Sequence, residues 1–139
     1  MSAADSSILW TARAAFLFYV CALAAWLREW PRLARSAWTA GLLVYVIHVA
    51  AAFQFRHHWS HAVAFEDTAR QTAAQFGMWW GGGLYFNYVF TAVWIFDVIW
   101  LWRSADSYSG RPRWITAAIQ SFMAFMFFNA VVVFVSGPV

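Results

Sequence analysis

His57, His58 and His61 crowd into five consecutive positions, and they carry the sharpest chemical signal in the chain. On a helix, His57 and His61 stand four apart, so both imidazoles could meet one cation. Imidazole suits Cu, Zn and Fe, and Glu66 or Asp67 could add a ligand or accept a hydrogen bond from one. Two imidazoles alone make a weak site. Glu66 lies about 140° round a straight helix from His61, so a third ligand from Glu66 requires a break in the helix or a second chain. His58 points toward the apolar face of the same helix. Haem is the less favoured use. Every histidine, His48 included, belongs to the second apolar segment or its extension, so one chain cannot place axial histidines on facing helices. The competing reading is three interfacial histidines that bond to head groups, water and Trp59.

A second set of residues could do chemistry from inside apolar segments. Arg13, His48, Asn87 and Asn129 each lie about five to seven residues from one end of a different segment, roughly 8–10 Å deep at 1.5 Å per residue. Polar groups in lipid usually face the bundle interior or a water-filled cavity, so these four are expected to form one buried polar layer. Asp97 and Gln120 sit at matching depth near the opposite ends and make an inner polar pair. The alternative is interhelical hydrogen bonding with no further role. Arg13 can snorkel to the surface, and Asp97 can bridge to Arg103 or Arg28.

The elements that must position these residues are set by composition. The chain has 139 residues, 63% hydrophobic and 11% charged, with a mean hydropathy of +0.57. A soluble domain carries roughly 25% charged residues, so the expected solvent is lipid. Four segments have spanning length, at about 8–27, 36–55, 82–102 and 114–135. Pro31, Gly110 and Pro112 punctuate the first and third turns. The fold class expected is an all-α integral membrane protein: a single domain, a four-transmembrane-helix bundle with an amphipathic outer-surface helix between helices 2 and 3. That helix is read over His57–Phe76, which lacks Gly and Pro and sets Ala62, Phe65, Ala69, Ala73 and Phe76 on one face. Glu66 and Arg70 stand in the favourable i, i+4 order.

All nine basic residues are arginine. Arg28, Arg32 and Arg35 fill the first turn, and Arg103, Arg111 and Arg113 fill the third. The positive-inside bias puts both turns in the cytoplasm, with both termini and the histidine-bearing connection outside. An alanine-rich, lysine-free composition points to a bacterial cytoplasmic membrane. The start lacks a basic n-region and a cleavage site, so the first segment is expected to be a retained anchor.

Several functions find no support. Ser60 and His61 point different ways on a helix, so no serine nucleophile is built. Gly81-Gly82-Gly83 lacks the Lys-Ser/Thr of a phosphate loop and serves as a closely packed approach to the third span. Cys21, alone in an apolar span, makes neither an internal disulfide nor a cysteine metal cage. Nothing suggests nucleic acid. Three roles remain: a metal- or haem-associated redox or metal-handling protein, a non-catalytic accessory or scaffold subunit binding lipid, quinone or pigment, and a small proton-coupled transporter using Asp97, His48 and Arg13. The partners expected are the lipid bilayer and either further copies of the chain or other subunits of a membrane complex.

Overall fold

The computed structural model describes residues 2–133, and within them the chain is helical with no strand. Four helices are long and apolar enough to cross a membrane: Ala3–Leu27, Pro31–His57, Gly83–Arg103 and Arg113–Val131. Phe134 and Val135, the end of the expected fourth span, lie outside the described residues.

Local chemistry fixes the boundaries. The first helix, α1 (Ala3–Leu27), opens on a capping box in which Ser2 and Asp5 satisfy each other's backbone N–H groups. α2 (Pro31–Ala52) starts with proline at its first position, where no N–H is needed. It then widens into a π-helical turn, Phe53–His57. α3 (His61–Phe76) begins at the Ser60 N-cap, whose hydroxyl accepts from Val63 N–H at 3.3 Å, and ends at Gly77 with φ of 68°. α4 (Gly83–Arg103), the short α5 (Ala105–Ser109) and α6 (Arg113–Phe128) complete the order, with a π-helical turn over Asn129–Val133.

α1 and α2 pack along their length as a hairpin. Gly41 makes room for α4, since a Cβ there would lie 2.9 Å from the Trp94 ring. The core is aromatic: the Trp38 ring lies tilted 5.0 Å from that of Trp94, and Phe127 of α6 lies 4.7 Å from Tyr19 and 5.3 Å from Phe90. Such interlocking rings add packing energy beyond the apolar area they bury. Large apolar side chains elsewhere on the spans, among them Leu17, Leu43, Phe96 and Phe128, are exposed.

α3 rests on α4 through small residues. Ala64, Ala69 and Thr72 are buried, whereas Phe65 and Phe76 of the expected apolar face stay exposed. The glycine run permits this approach. A Cβ on Gly81 would lie 2.6 Å from the carbonyl oxygen and ring of Phe65, and one on Gly82 would lie 2.3 Å from Trp80.

Candidate functional site

The buried polar centre of the molecule forms around Asp97, which α4 holds with no exposed surface. Trp38 of α2 donates its indole N–H to Asp97 Oδ2 at 2.9 Å. Tyr108 of α5 donates its hydroxyl to the same oxygen at 2.7 Å. Arg111, on the connection between α5 and α6, donates from Nη1 to Asp97 Oδ1 and from Nε to Thr116 Oγ1. The guanidinium lies over the Tyr108 ring, 4.0 Å from its centroid. Trp100 Nε1 donates to Ser107 at 3.1 Å and steadies α5 against α4.

Charge and burial explain why these groups converge. A carboxylate withdrawn from water demands an opposite charge and filled hydrogen-bond positions. Gly110 and Pro112 turn the chain back after α5, which returns Arg111 to Asp97 across 14 residues. Burial, then the neighbouring Asp97 charge, push the Tyr108 hydroxyl well above the ordinary tyrosine range. It stays a neutral donor. Asp97 is therefore ligated on both oxygens and sealed from solvent, which makes the cluster a clamp joining α2, α4, α5 and the start of α6.

The inner pair expected from the sequence does not form. Asp97 meets Arg111, not Arg28, Arg103 or Gln120, and the buried Gln120 Oε1 has no hydrogen-bond partner. Arg111 and Tyr108 were legible only as turn residues. The signal that could have found them is an acid six residues from a span end, facing a short connection that carries both a cation and a phenol.

The expected polar layer is likewise not one site. Arg13 is exposed, with its guanidinium 5.1 Å from the centroid of Trp10 on its own helix. Asn87 is exposed, and Asn129 donates to Phe125 of its own helix at 2.9 Å. His48 alone crosses between spans: its Nδ1–H donates to the Ile8 carbonyl at 3.0 Å, beside the Thr11 hydroxyl. No hydrogen bond joins any two of the four among the described residues.

The metal set His57, His58, His61 and Glu66 is divided by a break in the helix. His58 and Trp59 take left-handed conformations, with φ of 49° and 56°, so His57 ends one helical segment and His61 starts another. The i, i+4 geometry on which shared coordination rested is absent. His61 instead hydrogen-bonds Tyr88 at 2.9 Å, with Tyr85 at 3.5 Å from its other nitrogen. His57 packs edge-on to Phe53, His58 is exposed, and Glu66 pairs with Arg70 at 3.5 Å. Among the described residues no group of three or more His, Cys, Asp or Glu could hold a metal ion. The hollow beside this segment is shallow and lined by Arg56, Val63, Glu66, Asp67 and Arg70. Comparison with protein-family models, with curated proteins and with solved structures finds no match to this chain.

Proposed function

We propose that the chain is a non-catalytic accessory or scaffold subunit of a larger membrane complex. It is a four-span bundle whose last helix is presented to the spans of another protein. The observation that carries this reading is the imbalance between α6 and the rest. Only 11% of the apolar stretch of the last span is buried within the chain, against 22% for each of the first two spans and 33% for α4. Packing of so little surface holds a helix weakly in lipid. The Asp97–Arg111 clamp tethers α6 at its first turn, and Phe127 anchors it once more further along. Met123 is also buried against the core between those two points, and it is the opposite face of the helix, with the exposed Phe125 and Phe128, that remains open to receive a partner.

The polar groups support the same reading. Asp97 is enclosed by its own donors and offers no acid to a substrate or a moving proton. The histidines are split between different partners, which removes the support for a shared metal. Arginine asymmetry supports a cytoplasmic side for the α1–α2 and α4–α6 connections and an outer interfacial position for α3, where the exposed Phe65 and Phe76 would meet the lipid boundary.

Native mass spectrometry of complexes released directly from the membrane tests this. The expected species is heavier than one 15.9 kDa chain by a fixed protein mass, with no haem or metal. A lone chain with lipid, or a chain carrying a stoichiometric metal or haem, would refute it.

A further inference from the structure

Where α1 hands over to α2, Arg28, Arg32 and Arg35 fall within eight residues, and Glu29 is the one carboxylate among them. Arg103 closes α4 at the same end, next to Trp102, whose ring lies 3.4 Å from the Arg35 guanidinium. Among the described residues these four arginines make no ion pair. The paired carboxylates are engaged elsewhere: Asp5 with Arg56, Glu66 and Asp67 with Arg70, and Asp97 with Arg111.

Two of the arginines are held by their faces, and Arg32 stands exposed beside them. Arg28 lies over Trp30 at 5.7 Å and Arg35 over Trp102. Trp102 is itself fixed, donating its indole N–H to Thr39 Oγ1 at 2.9 Å. Arg35 Nε is buried without a hydrogen-bond partner. Stacking on an indole satisfies the π face of a guanidinium and leaves its in-plane N–H fork, the geometry that grips a phosphate.

The field of α2 has the same sign. No side chain caps its N-terminus and no acid lies in its first turn, although a helix start carries partial positive charge. Arg32 and Arg35 therefore stand where the helix itself favours an anion, and the one carboxylate nearby, Glu29, makes no ion pair with them among the described residues. The exposed surface around them is apolar: Trp30, Leu33 and Trp102 are each about half exposed. Three span ends meet here, at Leu27, Pro31 and Arg103, the level at which phospholipid phosphates lie.

The geometry points to a binding site for the phosphodiester of an anionic phospholipid, gripped by the edges of Arg32 and Arg35 with its acyl chains along Trp30, Leu33 and Trp102. A free phosphate would satisfy the arginines but would leave that apolar rim uncovered. The inference rests on the four helices being embedded in a bilayer and not on the accessory role.

The test uses the full chain in neutral detergent, offered equimolar phosphatidylglycerol and phosphatidylcholine, with bound lipid read by native mass spectrometry. Phosphatidylglycerol is expected to be retained preferentially, and Arg32→Gln/Arg35→Gln to lower its retention by on the order of tenfold. Arg70→Gln, at the opposite end, is expected to leave it unchanged. Should the double variant unfold, Arg32→Gln alone, at an exposed position, is expected to cost about fivefold. Equal retention of the two lipids, or undiminished preference in the folded arginine variants, would overturn the proposal. So would saturable binding of glycerol phosphate as tight as that of phosphatidylglycerol, which would make this a site for free phosphate.

Discussion

Trp38 Nε1 donates to Asp97 Oδ2 at 2.9 Å across 59 positions of chain, between two side chains with no exposed surface. This bond ties α2 to α4, and the same carboxylate receives Tyr108 and Arg111 from the following connection. One acid thus organises one end of the molecule.

Removing one partner of a buried ion pair leaves the other charge uncompensated. Arg111→Met is expected to destabilise the protein by about 3–5 kcal/mol, measured by thermal or denaturant unfolding in detergent. Adding Asp97→Asn should recover part of that loss, since the orphaned charge is then gone. Additive losses from the two substitutions would show that the residues act separately.

The clamp also has an alkaline signature. The Tyr108 hydroxyl is raised above its ordinary value near 10 by burial and by Asp97. The folded state therefore holds that proton where the unfolded state has lost it. Stability from this group is complete below pH 10 and declines as pH rises beyond it. Comparing wild type with Tyr108→Phe between about pH 9 and 11, wild type should show the steeper fall. Parallel slopes would remove Tyr108 from the linkage.

Two glycines are expected to differ in kind. Gly81→Ala drives a Cβ into the Phe65 carbonyl and ring, so it should cost about 1–3 kcal/mol and loosen α3. Gly77→Ala meets no neighbour within 4 Å but must hold φ at 68°, for about 1–2 kcal/mol. Hydrogen exchange separates them: Gly81→Ala should speed exchange along α3, and Gly77→Ala only near its end.

His61 is expected to work as a strut, with no metal involved. His61→Ala should raise amide exchange in the first turns of α3 by releasing Tyr88, with little change in the spans. Calorimetric titration of wild type with Zn or Cu should give no saturable binding that His57→Ala/His61→Ala abolishes. A stoichiometric site lost in that variant would restore the metal reading.

The spans were legible because lipid demands about 20 apolar residues per helix, and Pro31 and Pro112 mark the turns on either side. The helix between the second and third spans was legible apart from its start and from the face it buries, which carries Ala64, Ala69 and Thr72 and leaves Phe65 and Phe76 exposed. Nothing between His57 and His61 reads as a breaker, yet His58 and Trp59 adopt left-handed backbone and Ser60 caps the new helix. The serine was the available signal, and the histidine spacing concealed it. Equal depth proved a poor guide to contact, because depth leaves rotation about the helix axis undetermined. Arg13 and Asn87 face outward and His48 faces inward at similar levels. Arg111 was missed because arginines in a short turn already had a sufficient explanation in topology.

The accessory role depends on α6 being covered by another protein. Single cysteines at Phe125 or Phe128, both exposed on α6 within the chain, can be compared with one at Leu17 on α1 after Cys21→Ser. A lipid-soluble maleimide in native membranes reports which face is covered. The α6 cysteines should label slowly in the membrane and as fast as Leu17→Cys once detergent separates the subunits. Equal labelling of α1 and α6 in the native membrane would contradict the proposed role.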